Sequence, residues 1–166
     1  MNRLPEDSYS EMVGGTTQAL LITRIFEAPR ELVFKAWTEP ERVARWWGPH
    51  GFTAPVCELD VRPGGAIRIH MRAPDGSLIP ARGVYHEVVE PERLVFTTFV
   101  SEDEAGHPQL EVLHTVTLDD LGDKTKLTLR ARLIKSMPEA AGMLAGMTEG
   151  WEQGLDRLAE SLQTIE

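Results

Sequence analysis

Histidine and cysteine are the side chains of this 166-residue chain best suited to bind a metal, but their spacing is unfavourable. No two histidines have the HxH or HExxH spacing that brings a pair of imidazoles to one ion. Cys57 is the only cysteine, so no intrachain disulfide can form and no thiolate cluster can hold a metal. The sequence therefore predicts no metal site, and we expect no bound cofactor. The histidines are His50, His70, His86, His107 and His114.

His114 is the histidine whose neighbours point to a binding site. Val112, His114, Val116 and Leu118 alternate along a predicted strand, so their side chains share one face of the sheet. If that face encloses a cavity, His114 lies inside it and can contact a ligand or exchange a proton with it. A hydrogen-bonded structural histidine is the other interpretation, and the sequence leaves both open.

Tyr85 and Glu87 are a second set of candidate acid-base groups. They lie two residues apart on a predicted strand and so share one of its faces. If that face points inward, a carboxylate in apolar surroundings could act as an acid or a base. Alternation alone does not decide which face is buried, so solvent-facing roles for both side chains stay open.

Tryptophan and methionine side chains are candidates for the wall of an apolar cavity. Trp46 and Trp47 are adjacent on a predicted helix and point about 100° apart, so one should face the cavity while the other packs against the sheet. Methionines would make the wall adaptable, although core packing explains them equally well. The candidate wall residues are Trp46, Trp47, Met71, Met143, Met147 and Trp151.

Nucleophilic catalysis has little support in the sequence. It contains no G-x-S-x-G elbow, no glycine-rich phosphate loop and no nucleotide fingerprint. Cys57 alternates with Leu59 and Val61 on an apolar face and has no base nearby in sequence. We therefore predict that Cys57 is an inert, buried thiol.

Composition is that of a water-soluble domain of ordinary size, with 42% apolar and 26% charged residues. The formal net charge of −9 gives an averaged field that repels phosphate backbones and anionic lipid surfaces. The first residues lack the basic start and apolar run of a signal peptide. We expect no nucleic-acid binding, no membrane insertion and a cytoplasmic location.

The elements that would position these side chains follow from changes in hydrophobic period. Residues 1–16 are polar and read as a tail, which leaves 17–166 as one domain. A strand at 17–27 precedes two short helices that begin near Pro29 and Pro40. From residue 52 the period is two, and six strands separated by short turns predict an antiparallel meander. A final helix is predicted from residue 138 to about residue 163, where an apolar stripe lies beside glycines spaced four residues apart.

Seven short segments follow this order of elements along the chain, namely 24–29 (RIFEAP), 36–38 (AWT), 45–48 (RWWG), 60–65 (DVRPGG), 71–76 (MRAPDG), 83–88 (GVYHEV) and 150–151 (GW). With these segments in this order, the chain resembles the START-like (SRPBCC) superfamily. Within that superfamily it is similar to the activator of heat-shock-protein-90 ATPase homologue family, over roughly residues 17–163. The resemblance implies an α+β helix-grip fold, in which a curved antiparallel sheet of about seven strands wraps around the C-terminal helix and encloses a mostly apolar cavity.

Three functional hypotheses are compatible with that fold. The first is non-catalytic binding of a small hydrophobic molecule between the sheet and the last helix, with His114 as the main polar contact and Tyr85 and Glu87 as weaker candidates. The second is an enzyme of the polyketide cyclase or aromatase type, in which these same groups supply acid-base catalysis. The third is a co-chaperone-like module that binds a chaperone partner through its exterior. The short polar tail is also compatible with a homodimer.

Overall fold

The computed structural model describes residues 17–102, 108–136 and 146–163, which form seven strands and three helices. The predicted tail at 1–16 and the first part of the predicted last helix, including Met143, lie outside these residues. The strands are β1 (Thr17–Phe26), β2 (Thr53–Leu59), β3 (Ala66–Arg72), β4 (Leu78–Val89), β5 (Arg93–Glu102), β6 (Pro108–Asp120) and β7 (Thr125–Ser136). The helices are α1 (Arg30–Thr38), α2 (Pro40–Trp46) and α3 (Met147–Gln163).

All seven strands belong to one curved antiparallel sheet, in the order β1-β7-β6-β5-β4-β3-β2. Strands β2 to β7 therefore form the predicted meander, and β1 joins it beside β7. The turn from β3 to β4 follows from its sequence, because Gly76 has a φ of +92° and its N–H bonds to the Ala73 carbonyl oxygen. The predicted helix-grip architecture is confirmed.

The concave face of the sheet carries the main hydrophobic core. Alternate residues of β7, Leu127, Leu129 and Ala131, are completely buried there. Helix α3 lies over this face and contributes the buried side chains Leu155 and Leu158. Burial of each such leucine stabilises the fold by roughly 1.5–3 kcal/mol, so the helix is held mainly by this apolar stripe.

Helices α1 and α2 close one end of the core. The Trp46 side chain is completely buried, and its indole N–H donates to the carbonyl oxygen of Ala36 at 2.9 Å. This bond ties the end of α2 to the last turn of α1. Gly48, with a φ of +100°, then turns the chain away from α2. The segment 47–50 is thereby carried alongside α3.

Candidate functional site

A cavity of about 170 Å³ lies between the concave face of the sheet, helix α3 and the segment that follows α2. Its floor is formed by side chains of β3, β4, β5 and β6. The residues that line it from the sheet are Met71, Ala81, Thr98, Leu110, Val112 and His114. Those that line it from the helix and the segment are Met147, Gly150, Trp151 and Gly154, and Trp47, Gly48 and Pro49. The wall is therefore mostly apolar and aromatic.

His114 and Thr98 are the polar pair in the floor of the cavity. The Thr98 hydroxyl lies 3.0 Å from Nε2 of His114, and both residues are buried. They sit diagonally across β5 and β6, because His114 is paired with Phe96 and Thr98 with Val112. Nδ1 of His114 is buried and has no hydrogen-bond partner among the described residues. The protein thus holds one imidazole nitrogen through Thr98 and encloses the other.

Burial determines the charge of this histidine. Desolvation lowers the pKa of His114 to about 3, because a charged imidazolium would lose its hydration without gaining an anionic partner. His114 is the one titratable side chain that lines the cavity in the described part of the chain. At neutral pH the imidazole is uncharged, with one nitrogen as a donor and the other as an acceptor.

Trp151 is the centre of an aromatic cluster beside the cavity. It stacks on Trp37 with ring centroids 5.8 Å apart, and it meets Trp47 edge-on at 5.3 Å. It also contacts the His114 ring edge-on at 5.5 Å, and His114 in turn stacks on Phe96 at 4.7 Å. The orientation of the imidazole is therefore fixed by aromatic contacts on two sides.

Arg157 on α3 holds the segment after α2 against the helix. Its guanidinium donates to the carbonyl oxygens of Gly48 and Pro49, each at 2.9 Å, and to that of Arg45 at 3.0 Å. The backbone N–H of His50 adds a bond to the side-chain oxygen of Gln153 at 3.0 Å. Arg45 lies in the last turn of α2, so the Arg157 guanidinium also satisfies a carbonyl group that α2 leaves unpaired at its C-terminal end. Two walls of the cavity are joined by these bonds.

Two glycines of α3 face the segment, and a β-carbon at either would make contacts of ordinary length. A β-carbon at Gly154 would lie 3.5 Å from the carbonyl oxygen of Trp46 and 3.6 Å from that of Gly48. At Gly150 a β-carbon would meet only the Pro49 ring, at 3.7 Å. Gly154 therefore lies against the backbone of the segment, and Gly150 against a side chain.

The structure brings together most of the predicted cavity residues. Trp47 lines the cavity while Trp46 packs in the core, as expected for neighbours that point about 100° apart on a helix. His114 faces the cavity, because the face it shares with Val112 is the concave one. The predicted residues that line the cavity are Trp47, Met71, His114, Met147 and Trp151. Met143 lies outside the described residues.

Tyr85 and Glu87 do not lie in the cavity, and they do not share a face. A β-bulge at His86 sets Tyr85 opposite Phe96 but Glu87 opposite Val95, which interrupts the alternation expected from the sequence. Tyr85 points inward and is buried among the core aromatics. Glu87 lies beyond the bulge, where its carboxylate accepts a hydrogen bond from Nε of Arg93.

Two functional residues were missed by the sequence analysis. The contact of Thr98 with His114 depends on the register between β5 and β6, which a single sequence does not supply. Arg157 had a readable signal, because it lies three residues after Gly154 and seven after Gly150, on the stripe where glycines admit another backbone. A cation on such a stripe can reach the carbonyl groups of the chain that packs there.

Cys57 is half-buried rather than fully buried. Burial first, and then the nearby Glu41 and Glu58 carboxylates, raise the pKa of its thiol to about 11. The thiol is therefore protonated at neutral pH, which agrees with the inert side chain predicted from the sequence. Within the described ranges, no three histidine, cysteine or acidic side chains converge on a point where a metal ion could bind. No helix in those ranges is long and apolar enough to cross a bilayer.

The sequence matches the family described as Activator of Hsp90 ATPase homolog 1-like protein over residues 27–163, so the chain belongs to that family. This confirms the predicted resemblance, and the fold is that of the START-like superfamily. A comparison with curated proteins finds no match.

Solved bacterial structures share the fold over nearly the whole chain. A solution structure of an Arthrobacter aurescens protein is 26% identical in sequence, with a TM-score of 0.77, and the match covers 87% of this chain and 86% of that one. A Chromobacterium violaceum protein is 29% identical, with a TM-score of 0.71 and coverage of 85% and 94%. A Nitrosomonas europaea protein is 27% identical, with a TM-score of 0.69 and coverage of 87% and 94%.

Proposed function

We propose that this protein binds a small hydrophobic molecule in the cavity between the sheet and α3, and that it carries out no reaction on it. The observation that carries the proposal is the mostly apolar cavity of about 170 Å³, whose described lining includes one hydrogen-bonded polar pair, His114 and Thr98. Apolar walls with a few placed polar groups are typical of small-molecule sites.

The cavity volume fits a small ligand. An apolar cavity of about 150 Å³ in another protein takes up benzene from water, because burial of the ring recovers the contacts that the empty walls lack. At about 170 Å³, this cavity has room for a molecule of similar size or slightly larger.

The titratable groups count against the cyclase or aromatase hypothesis. Acid-base catalysis of that type would use two groups that converge on the substrate, and His114 is the single titratable group in the described lining. A histidine whose pKa is about 3 is also a weak base at neutral pH. Tyr85 and Glu87, the other candidates, lie away from the cavity.

Toluene is a suitable probe of the proposed site because it is apolar and close to benzene in size. Binding can be followed by calorimetry and by tryptophan fluorescence, since all four tryptophans belong to the cluster around Trp151. Native mass spectrometry of the protein as purified from cells would show any ligand that copurifies with it. We expect saturable binding of about one toluene per chain.

A matched pair of variants locates the binding. Ala81→Leu places a larger side chain in the cavity floor and should weaken toluene binding at least tenfold, whereas Ala66→Leu makes the same change at an exposed position of β3 and should leave it unchanged. No saturable binding, or equal binding by the two variants, would overturn the proposal. Cytoplasmic location, a homodimer and a chaperone partner stay predictions.

A further inference from the structure

We propose that two copies of this chain associate edge to edge through β1, with the two β1 strands antiparallel and Thr23 on the twofold axis. The paired edges would join two seven-stranded sheets into one continuous sheet. No residue of β1 lines the cavity in the described part of the chain, so the inference does not depend on the ligand proposed above.

Strand β1 exposes two large apolar side chains on one face. Leu21 is 49% exposed and Ile25 is 56% exposed, and both lie on the convex side of the sheet, opposite Arg130 and Lys126 of β7. Single exposed leucines are common, but two on one face of an edge strand form a patch that a partner can cover. The other large apolar side chains exposed in the described residues lie at strand ends or in a turn, namely Leu78, Val89 and Leu121.

The backbone edge of β1 is open to pairing. Strand β1 is the last on its side of the sheet, so within the described residues its outer edge has no strand partner. Its register with β7 is regular from Leu20 to Phe26, and the one irregularity lies earlier, between Gln18 and Leu20. Edge strands are usually protected by proline, bulges or charged side chains. The regular part of β1 has one charged side chain, Arg24, and its guanidinium donates to Asp156 of its own α3.

The opposite edge of the sheet, β2, has the protection that β1 lacks. Pro55 has no N–H group to donate, and the register with β3 is interrupted between Thr53 and Val56. Glu58 adds an exposed carboxylate, which pairs with Arg68. Of the two edges, β1 is therefore the one that a second strand can join.

The side chains of β1 favour one register for the pair. Residues directly opposite each other share a face of the sheet, so a twofold axis perpendicular to the sheet passes through a residue. With Thr23 on the axis, Leu21 lies opposite the second copy's Ile25 and the two threonines lie opposite each other. Both kinds of pair stabilise antiparallel strands. An axis at Ile22 would place Leu21 opposite a threonine, and an axis at Arg24 would place two like charges together.

Charge does not oppose this pairing at short range. The side chains that the second copy would cover, Leu21, Thr23 and Ile25, are uncharged. The nearest cations on that face are Lys126 and Arg130 of β7. In the pair they would be three strand spacings, about 14 Å, from those of the second copy. That distance exceeds the screening length of about 8 Å at physiological ionic strength, so their repulsion is weak.

The affinity of the pair should be moderate, because each copy contributes a single strand. Stable protein interfaces bury about 1,200–2,000 Å², and one pair of strands buries less than that. We therefore expect a dissociation constant in the micromolar range. Sedimentation velocity at physiological ionic strength, over roughly 1–300 µM protein, should show a monomer that converts to a dimer and to nothing larger.

Two lysine substitutions locate the contact. Leu21→Lys adds a cation opposite the second copy's Ile25 and should raise the dissociation constant at least about tenfold. Leu121→Lys is the matched control, because Leu121 is 47% exposed but lies between β6 and β7, away from β1. It should leave the dissociation constant unchanged.

Two cysteine substitutions test the register. They are made together with Cys57→Ala, which removes the native thiol. In Thr23→Cys the two thiols lie directly opposite each other, with α-carbons about 4.5–5.5 Å apart, within the range that a disulfide spans. Mild oxidation should therefore cross-link this variant into a dimer. In Leu21→Cys the two thiols lie four residues apart along the strands, about 13 Å, so it should not cross-link.

Each outcome either supports or overturns the inference. A monomer at every concentration overturns it, and means that the β1 edge is covered within one chain or left to a different protein. A dimer that Leu21→Lys does not weaken, cross-linking of Leu21→Cys as readily as Thr23→Cys, or oligomers larger than a dimer also overturn it. If circular dichroism shows that Thr23→Cys does not fold, the two lysine variants still decide. The proposed ligand binding is unaffected by any of these results, because it is measured separately with toluene.

Discussion

Arg157 donates a hydrogen bond to the carbonyl oxygen of Gly48 at 2.9 Å, and this bond joins the last helix to the segment that follows α2. The two residues are 109 positions apart in the sequence. Gly48 also lines the cavity, and its φ of +100° turns the backbone so that its carbonyl group faces the guanidinium. The shape of the cavity therefore depends on a polar contact made just behind its wall.

Replacement of Arg157 should weaken both the fold and the site. Arg157→Met keeps much of the side-chain volume but removes bonds to several carbonyl groups, and we expect a loss of about 2–3 kcal/mol in the free energy of unfolding. Toluene affinity should fall as well, because Trp47 and Pro49 lose their fixed position. Urea denaturation and calorimetry measure the two effects.

Arg24→Met is the matched control for that substitution. Arg24 in β1 pairs at 2.6 Å with Asp156, which lies on α3 next to Arg157, but the Asp156 carboxylate is mostly exposed. Such surface pairs contribute about 0–1 kcal/mol, so Arg24→Met should change stability little and leave toluene affinity unchanged. Equal losses in the two variants would contradict the structural role assigned to Arg157.

Gly150→Ala should stabilise the protein and weaken ligand binding. Glycine in a helix costs about 0.5–1 kcal/mol relative to alanine, and a β-carbon at position 150 meets only the Pro49 ring, at 3.7 Å. The new methyl group would otherwise project into the cavity. We therefore expect a higher melting temperature together with lower affinity for toluene.

Gly154→Ala separates the two effects of Gly150→Ala. Its methyl group would lie against the backbone of Trp46 and Gly48 at ordinary contact distances, so it gains the same helix propensity while taking up less of the cavity. Its effect on toluene affinity should be smaller. If Gly150→Ala binds toluene as well as the unchanged protein, position 150 does not border the ligand.

Much of the fold could be predicted from the sequence because its signals are local. Apolar residues at period two predicted the strands, and Pro29 and Pro40 predicted where the short helices begin. Alternation along β6 also predicted that His114 shares a face with Val112 and Leu118, and it does, because the strand is regular between those two residues. A regular strand keeps the same parity from end to end.

The remaining features depend on register and on contacts between distant residues. The bulge at His86 reversed the parity of β4, so Tyr85 and Glu87 could not be assigned to a face from alternation. Thr98 reaches His114 only through the pairing of β5 with β6. The Arg157 contacts depend on how α3 packs against the segment after α2, which a single sequence does not encode locally.

Glu87→Gln should leave ligand binding unchanged. Its carboxylate is partly exposed and pairs with Arg93, so loss of the charge should cost at most about 1 kcal/mol of stability. Toluene titrations of Glu87→Gln and of the unchanged protein should superimpose. A clear fall in affinity would place Glu87 at the site, contrary to the arrangement that the β4 bulge produces.

The stability of the protein should fall as the pH drops below about 6.5, and His114 should be the main cause between pH 7 and pH 5. Burial lowers the pKa of His114 to about 3, whereas an unfolded histidine titrates near 6.5. In this range the unfolded chain binds a proton that the folded chain does not, so protonation favours unfolding. The contribution of the neutral His114 to the free energy of unfolding is complete above about pH 6.5 and is lost as the pH falls towards 3.

The expected loss from His114 is about 2 kcal/mol between pH 7 and pH 5, since each pH unit below 6.5 approaches 1.4 kcal/mol. His86 adds a contribution of the same sign, because partial burial lowers its pKa too. Urea denaturation at pH 7, 6 and 5 measures the slope for the unchanged protein, for His114→Gln and for His86→Gln. The first variant should remove most of the slope and the second only a smaller part. If His114→Gln keeps the full pH dependence, the folded protein does not hold this imidazole neutral, and the charge state assigned to His114 is wrong.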